Sequence, residues 1–514
     1  MLHLTLPAKT DCEILIVGAG PAGASAAAHL AAAGVHTLLV DAQVFPRDKV
    51  CGDFVGPAAL RELHMLGITA LPGYRQSNVV REASLYLDGR HLITHPVPQV
   101  DNLPPHGRVV PRKALDAWIL DAARRCGAEV IQGARVQGWS LEADGVRIEL
   151  KQGDRVWHVR ARLLVGADGS GSLVARQLRG QAAPDEDRII ALRAYYDGLD
   201  GPADRAELYF SGASFPGYYW LFPTGGGGAN VGVGMVLDTL PRGELPLKAL
   251  LLDLIANDRA LRRRLGSATL TGRILGWPLT TYNPGLPITG ERVLLVGDAA
   301  GLINPLNGEG IQYAMQSGRW AAETLLGCRA ANDFSRVALA PYASRVEREL
   351  RYDMALSRVI VQLIRNRSLN PLWLQALQVI VARARGDADY AAVTGGVLAG
   401  LVPASRVLRP DIVRKTLTQA VISLGFGSVK HLLRGPAHLR ALGQQTGRAT
   451  LAGAATMAAH PHATVRWGAG LAGSVLELGV QAVSQQVRVQ SSRSIMYSTT
   501  DSTKRLSAES GRLP

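Results

Sequence analysis

Three runs of apolar residues, far apart in the chain, each lead directly into a turn rich in glycine and aspartate. They lie at residues 13–17, 162–165 and 292–296. Apolar runs of this length without polar alternation are typical of parallel strands that are buried on both faces of a sheet. The pattern therefore predicts one parallel sheet assembled from distant segments of the chain.

The first run opens a compact strand–helix–strand unit. An alanine-rich stretch, residues 21–33, follows it and stops at Gly34, and residues 36–40 form a further apolar run. Alanine is the strongest helix former and glycine commonly follows the last residue of a helix. These residues predict the first βαβ unit of a Rossmann-type α/β domain.

Segments with β-strand character lie between the three runs, at residues 83–94, 189–210 and 218–236. They predict a second, mostly antiparallel sheet that is inserted into the first domain. Residues 316–384 repeat apolar positions with a helical period, and helices are also predicted beyond residue 386. Residues 490–514 are rich in Ser and Thr and predict a disordered tail.

Charge is concentrated near the end of the chain. Of a net charge of +14 over 514 residues, the part from Arg406 onward carries 14 Lys and Arg against four Asp and Glu, a balance of +10. Such a segment is either a solvated helical surface or a contact for an anionic membrane. We expect no nucleic-acid partner, because no aromatic and basic interleaving or DNA-reading motif accompanies the charge.

The cysteines and the apolar stretches of the sequence indicate the cellular compartment in which the protein works. The four cysteines form no C-x-x-C pair, which argues against a zinc site or a disulfide framework and for a reducing compartment. Residues 1–12 contain no basic leader before an apolar core, so we expect no signal peptide. Arg466 and Glu477 interrupt the longest apolar stretch, residues 451–483. We expect a cytoplasmic protein that is either soluble or peripheral to the membrane.

The turn after the first run, residues 18–23, fits the pattern G-x-G-x-x-G, and Asp41 follows 23 positions after Gly18. In a dinucleotide site the first glycine permits the tight turn, the second lets the pyrophosphate approach the backbone, and the third lets the helix pack on the strand. An acidic residue at the position of Asp41 accepts a hydrogen bond from a ribose hydroxyl. The predicted cofactor contacts in this unit are Gly18, Gly20, Pro21, Ala22, Gly23 and Asp41.

Two later turns distinguish FAD from NAD. Residues 166–170 read G-A-D-G-S, and residues 297–301 read G-D-A-A-G before a glycine-rich sequel. A carboxylate at a strand end can bind ribitol hydroxyls, although each aspartate alone could be an ordinary turn or N-cap residue. Together, in this order, the two turns indicate FAD. The predicted contacts here are Asp168, Gly297, Asp298, Pro305, Gly308 and Gly310.

With these three motifs, roughly residues 10–385 resemble the FAD proteins built on the para-hydroxybenzoate hydroxylase plan, and within them the geranylgeranyl reductase family. The resemblance implies that Arg112 contacts the cofactor, the alternative being a surface charge at a helix start. Residues 46–52 are similar to the P-R-x-K-x-C-G segment that the family places beside the flavin ring. It implies that Arg47, Cys51 and Gly52 are near the cofactor. The Cys51 thiol could have a lowered pKa or could pack as a small apolar group.

Residues 216–223 resemble the P-G-Y-x-W-x-F-P run whose aromatic residues line the family's substrate cavity. Tyr218, Trp220 and Phe222 alternate along the chain and therefore share one face of a strand. Three aromatics on one face suit a long apolar substrate, although an ordinary aromatic core is the alternative. Halogenases of this plan carry W-x-W-x-I-P here, so halogenation is disfavoured.

The resemblance implies an FAD-dependent reductase that saturates C=C bonds of a polyprenyl or geranylgeranyl-type lipid. Electrons would come from NAD(P)H docking transiently, or from a reduced protein carrier, because the chain has one dinucleotide motif. We predict Cys51, Tyr218 and Trp220 as the catalytic residues, Tyr218 being a candidate proton donor and Cys51 a group that tunes the ring. The alternatives are an FAD-dependent monooxygenase or halogenase acting on an aromatic or polyketide substrate, and a non-catalytic prenyl-binding escort.

The predicted fold class is thus α/β, or α+β overall: a Rossmann-type FAD-binding domain with an inserted antiparallel substrate domain and a helical C-terminal region. Helices complete a first unit that ends at residue 385, and a basic helical extension would span residues 386–489. The predicted domain segments are about 10–75, 105–185 and 286–330 for the FAD domain and 76–104 and 186–285 for the substrate domain.

Overall fold

The structure is a computed structural model that describes residues 11–240, 247–398, 402–432 and 467–476. The tail predicted at residues 490–514 lies outside these ranges, and so does much of the predicted basic extension. The limits of the domains stay predictions. The fold class is as predicted: a Rossmann-type sheet, a second and mostly antiparallel sheet, and a helical C-terminal part.

Eight strands form the first sheet, whose central order is β17-β18-β11-β1-β2-β8, with β10 on β11 and β9 on β10. Its strands are β1 Cys12–Val17, β2 Thr37–Asp41, β8 Glu129–Gln132, β9 Arg135–Leu141, β10 Val146–Gln152, β11 Arg155–Gly166, β17 Thr289–Gly290 and β18 Val293–Leu295. The three apolar runs pair side by side, because Ile16 lies opposite Val165 and Val165 opposite Leu294, both in parallel register. The sheet is therefore assembled from distant segments, as the sequence predicts.

The second sheet has seven strands in the order β16-β12-β15-β14-β13-β5-β6, all antiparallel except for the β13–β5 pair. Its strands are β5 Glu82–Leu87, β6 Arg90–Pro96, β12 Arg188–Asp197, β13 Arg205–Phe210, β14 Tyr218–Gly225, β15 Gly228–Val236 and β16 Thr269–Thr280. A small third sheet joins β3 Phe54–Val55, β7 Gly107–Val109 and β4 Asn78–Val80.

Helices pack against both large sheets and make up the C-terminal part. They are α1 Pro21–Ala32, α2 Pro57–Met65, α3 Pro72–Gln76, α4 Arg112–Arg125, α5 Leu173–Arg179, α6 Leu247–Asn257, α7 Arg259–Leu265, α8 Gly297–Ala300, α9 Ile311–Ala331, α10 Arg336–Ile364, α11 Asn370–Ala384, α12 Ala388–Leu398 and α13 Pro410–Leu432. In the described part of the chain, no helix is both long enough and apolar enough to cross a membrane.

The packing of α1 explains why its side chains are so small. Ala24, Ala26 and Ala27 are fully buried, and α1 packs against both α4 and α9. A Cβ at Gly318 of α9 would lie 2.4 Å from the carbonyl oxygen of Ala22. Small side chains on both helices therefore let the α1 and α9 backbones approach closely, which holds the start of each helix at the same edge of the first sheet.

Candidate functional site

The three glycine-rich turns meet at the carboxyl edge of the first sheet. A Cβ at Gly18 would lie 2.3 Å from the carbonyl oxygen of Ala167, and one at Gly23 would lie 1.9 Å from that of Gly18. A Cβ at Gly297, where φ is +57°, would lie 2.7 Å from the Cβ of Ala22. These three glycines shape the turns by close approach and do not line the cavity below.

The start of α1 suits a phosphate. Its N-cap, Gly20, has no side chain to occupy the first N–H groups of the helix, and Pro21 follows it. A Cβ at Gly20 would have one neighbour within 4 Å, the Arg47 guanidinium nitrogen Nη2 at 3.7 Å. Uncapped N–H groups at a helix start, with a cation close by, are the groups that bind the pyrophosphate of a dinucleotide. The residues present therefore fit FAD at this position.

Arg47 and Arg112 converge on one buried carboxylate. Asp116 is fully buried and accepts hydrogen bonds from Arg47 Nη1 at 2.6 Å, from Arg112 Nε at 2.7 Å and from Arg112 Nη2 at 2.8 Å. Burial alone would raise the pKa of Asp116, but the guanidinium groups, Arg112 first, hold it below its usual value. Arg112 begins α4, yet it is 4% exposed and lines the cavity. The alternative of a surface charge is therefore wrong.

The predicted acidic residues differ in their partners. Asp41 accepts the N–H of Ala19 at 2.7 Å through one oxygen and that of Gln43 at 2.7 Å through the other. Asp168 accepts hydrogen bonds from Ser172 and from the N–H of Leu173 at the start of α5, and it does not line the cavity. The Asp168 carboxylate is thus engaged by the turn that leads into α5, whose N-cap residue is Ser172.

Asp298 lines the cavity and is held from both sides. Its Oδ2 lies 3.2 Å from Lys49 Nζ and accepts a hydrogen bond from Ser170 Oγ at 3.4 Å. Lys49 also lines the cavity, and it comes from the segment that contains Cys51. The Lys49–Asp298 pair thus joins the Cys51 segment to the third glycine-rich turn, and the contact from Ser170 joins the second turn to the third.

Cys51 faces the cavity beside Arg112 and is connected to the second sheet. Burial raises the pKa of its thiol, although the neighbouring Arg112 acts in the opposite direction. Of the two alternatives drawn from the sequence, a raised pKa favours the thiol as a small apolar group over a thiol with a lowered pKa. A Cβ at Gly52 would lie 3.0 Å from the Phe222 ring and 3.5 Å from Trp220 Nε1, so this loop packs directly on the aromatic strand.

The aromatic side chains share one face of β14, as their alternation predicts. Ring centroids are 6.1 Å apart between Tyr218 and Trp220 and again between Trp220 and Phe222, and all three residues line the cavity. The Tyr218 hydroxyl donates to the carbonyl oxygen of Asn307 at 2.6 Å. Burial raises the pKa of Tyr218 far above neutral, which argues against its role as the proton donor.

A hydrogen-bond network that the sequence did not reveal supports this face. Asp53 is fully buried, has φ of +62°, and accepts hydrogen bonds from Tyr195 at 2.6 Å and from Asn230 at 2.8 Å. Asn230 also donates to the carbonyl oxygen of Cys51 at 2.8 Å and accepts from Trp220 Nε1 at 2.9 Å. No local pattern marks these residues, because their partners lie more than 140 positions away or on adjacent strands.

These elements enclose one cavity of about 300 Å³, which begins at the glycine turn of α1. It passes the Cys51 loop and the aromatic face and then continues between β5, β6 and the C-terminal helices. Apolar side chains line this far part; they include Leu85, Ile93, Leu208, Ile364, Leu377, Ile380 and Leu398. Of the predicted site residues, those that line the cavity are Gly20, Pro21, Ala22, Cys51, Gly52, Arg112, Asp298, Pro305, Gly308, Gly310, Tyr218, Trp220 and Phe222.

Comparison with known protein families also indicates that the chain binds FAD. Residues 11–195 match the family described as FAD binding domain. The chain is 34% identical to a menaquinone reductase of Mycobacterium tuberculosis H37Rv over 324 residues, which is 61% of this chain and 76% of the relative. It is 30% identical to digeranylgeranylglycerophospholipid reductase 1 of Methanopyrus kandleri over 368 residues, 69% of this chain and 91% of that protein.

Solved structures share the fold. A geranylgeranyl bacteriochlorophyll reductase-like protein of Thermoplasma acidophilum superposes with a TM-score of 0.62 at 26% identity, covering 69% of this chain and 87% of its own. A flavin-dependent brominase superposes with a TM-score of 0.62 at 19% identity, covering 78% of this chain and 98% of its own. At that identity the brominase shows a common fold and nothing about the reaction.

Proposed function

The chain belongs to the geranylgeranyl reductase family of FAD-dependent oxidoreductases, and from this premise we propose that it reduces carbon–carbon double bonds in the prenyl chain of a lipid. The shape and lining of the cavity carry the proposal. A polar end, with the uncapped start of α1 and the Arg47–Asp116–Arg112 cluster, continues into a long apolar part. The first suits a dinucleotide and the second suits a flexible hydrocarbon chain.

FAD, when bound and reduced, supplies a hydride equivalent to the substrate. The residues of the chain bind and orient the two reactants. The aromatic face of Tyr218, Trp220 and Phe222 forms a flat apolar wall for a prenyl unit, and Gly52 lets the Cys51 loop lie against that wall. Leu377 and Ile380 of α11 line the far part, where they exclude water from the rest of the hydrocarbon chain.

The names of the relatives give two candidate lipids, a digeranylgeranylglycerophospholipid and menaquinone. We propose that what this cavity recognises is the prenyl chain, because the lining of its far part is apolar and offers few groups to a polar head. The electron donor, in this proposal, is NAD(P)H docking transiently or a reduced protein carrier.

The test is an anaerobic reaction of the FAD-loaded protein. The flavin is reduced with dithionite and then mixed with a geranylgeranyl-bearing lipid, with menaquinone, or with a fully saturated analogue as the matched control. We expect the oxidised flavin spectrum to return with the geranylgeranyl-bearing lipid and not with its saturated analogue. Because the quinone ring of menaquinone can itself oxidise reduced flavin, the readout for menaquinone is the recovered lipid, whose prenyl chain should have gained two hydrogen atoms per reduced bond. If reoxidation needs oxygen and the substrate is hydroxylated or halogenated, the monooxygenase or halogenase alternative is correct. Separate reactions that use NADH or NADPH in place of dithionite test the donor.

We also propose that the C-terminal helices dock on an anionic membrane, from which a lipid could enter the cavity. On and beside α13, Leu408, Val413 and Leu417 are 47%, 38% and 61% exposed, and Arg409 and Arg414 are exposed next to them. Apolar and basic side chains on one surface are the composition of helices that bind anionic bilayers. Ile412 of α13 packs with Tyr390 and Ala391 of α12, whose Ala391 lines the cavity.

A further inference from the structure

Glu309 lies in the loop between α8 and α9 and lines the cavity. Its Oε1 accepts the N–H of Gln312 in the first turn of α9 at 3.2 Å. It forms no ion pair with any Arg, Lys or His in the described ranges of the chain. The loop packs against the aromatic face, because the Tyr218 hydroxyl donates to the carbonyl oxygen of Asn307. Glu309 is thus a partly buried carboxyl group in a cavity wall, beside the proposed position of the prenyl unit.

The other carboxyl groups of the cavity wall already have side-chain partners. Glu82 is paired with Arg205 at 2.8 Å, and Asp298 with Lys49 at 3.2 Å. Asp53 accepts hydrogen bonds from Tyr195 and Asn230. Among the carboxyl groups that line the cavity in the described residues, Glu309 is therefore the one whose partners are backbone N–H groups alone.

The pKa of Glu309 also lies near neutral pH. Burial raises its pKa to about 7, and the N–H groups of Gln312 and Ile311 offset part of that effect. The titratable groups that interact with it are Tyr218 on β14 and Tyr313 on α9. Burial raises the pKa of Tyr313 to about 12 and that of Tyr218 further, so both phenols stay protonated while Glu309 titrates. An acid is most effective in catalysis when its pKa lies near the working pH.

We propose that Glu309 is the proton donor in the reduction, a role that rests on the function proposed above. The hydride equivalent from reduced FAD forms a C–H bond at one carbon of the double bond. The proton of Glu309 forms the second C–H bond at the other carbon. The C=C bond becomes a C–C bond, FAD is left oxidised by two electrons, and Glu309 is left as a carboxylate that takes a proton from solvent.

The test uses the FAD-loaded Glu309→Gln variant, with Glu309→Asp as the conservative variant. We expect the glutamine variant to keep the flavin spectrum and its rate of reduction by dithionite, and to be reoxidised by the unsaturated lipid at least about 100-fold more slowly. In the wild type the reoxidation rate should fall as the pH rises through about 7, because Glu309 loses its proton. The aspartate variant should recover part of the rate and retain a pH dependence, whereas the glutamine variant should have none in this range.

The protonation of Glu309 can also be measured without turnover, from infrared difference spectra of the protein. The spectra are recorded between about pH 5 and about pH 9, roughly two pH units on either side of neutral. We expect a carboxyl C=O band that titrates near pH 7 in the wild type and is lost in the Glu309→Gln variant. The matched control is Asp353→Asn, since burial also raises the pKa of Asp353 but this residue does not line the cavity. It should leave both the Glu309 band and the reoxidation rate unchanged.

The outcomes separate the two proposals. If the wild type reduces the lipid and the Glu309→Gln variant does so at the same rate with the same pH profile, Glu309 is not the proton donor and the proposed function stands. If the wild type reduces no prenyl lipid, the proposed function fails, and the infrared titration still decides whether Glu309 changes its protonation near neutral pH.

Discussion

The indole Nε1 of Trp220 donates a hydrogen bond to Oδ1 of Asn230, 2.9 Å away on the adjacent strand. Asn230 is fully buried, and its amide nitrogen donates to the carbonyl oxygen of Cys51 and to Asp53. One amide side chain therefore connects the aromatic wall to the loop that faces the cofactor site, and it sets the distance between them.

Replacement of Asn230 by leucine should break this connection. The substitution leaves the Trp220 N–H, the Cys51 carbonyl and Asp53 each without one partner in a buried site, and each loss costs about 1–3 kcal/mol. We expect the free energy of unfolding to fall by about 3 kcal/mol or more in urea titration. The control is Asn257→Leu on the exposed surface of α6, which should change it by less than about 0.5 kcal/mol. Equal stability of the two variants would contradict the role assigned to Asn230.

Asp53 should make stability depend on pH. Burial raises its pKa to about 6, although hydrogen bonds from Tyr195 and Asn230 and the charges of Arg193 and Arg112 oppose that shift. Since the folded pKa lies above the unfolded one, the contribution of Asp53 is full below about pH 4 and is lost as the pH rises through about 6.

The comparison of wild type with Asp53→Asn isolates this contribution, because asparagine tolerates the positive φ at this position. A difference of about two pKa units corresponds to about 3 kcal/mol. In urea titrations, the stability of the wild type relative to the variant should decline over that pH interval. A difference that is constant with pH would show that Asp53 does not titrate there.

A single alanine substitution should abolish FAD binding when the glycine lies in the cofactor turn, but not when it lies elsewhere in the helices. A Cβ at Gly23 would lie 1.9 Å from the carbonyl oxygen of Gly18, so Gly23→Ala must displace the turn. We expect the purified variant to retain little FAD, measured as the ratio of flavin to protein absorbance. The matched control is Gly327→Ala in α9, where a Cβ has no neighbour within 4 Å; it should keep FAD and gain about 0.5–1 kcal/mol of stability. Normal FAD content in Gly23→Ala would disprove the close-packed turn.

Membrane docking can be tested by charge reversal. Deleting the chain after Pro403 would uncover a packed core, because Ile412 is 2% exposed against Ala384 and Tyr390. The double substitution of Arg409 and Arg414 by glutamate changes exposed residues only. We expect binding to anionic vesicles to weaken about tenfold or more, and the binding of the wild type to fall with added salt.

The control for this experiment carries the same change of charge elsewhere. Arg262 and Arg263 are exposed on α7, a helix that packs with the second sheet. Their double substitution by glutamate should leave vesicle binding as in the wild type. If both double variants bind equally well, the C-terminal helices are not the docking surface.

The sequence by itself determined those features of the fold and the site that depend on residues close together in the chain. The apolar runs before residues 18, 166 and 297 predicted the parallel sheet, because a strand buried on both faces needs consecutive apolar side chains. The glycines of the first turn were readable for a similar reason, since G-x-G-x-x-G between a strand and a helix has a steric cause at each glycine. Strand alternation likewise placed Tyr218, Trp220 and Phe222 on one face.

Only the tertiary structure decided which polar groups are paired and which face the cavity. Lys49 and Asp298 are 249 positions apart and form an ion pair, while Asp168, which has an equally strong motif, is engaged by the start of α5. The pKa of Cys51 rises because the fold buries the thiol, despite the cations near it in sequence and space. Glu309 stands out because the fold places it, partly buried, in a cavity wall, and no cation among the described residues forms an ion pair with it. Burial and long-range pairing set these electrostatic properties, and neither is encoded in the spacing of residues along the chain.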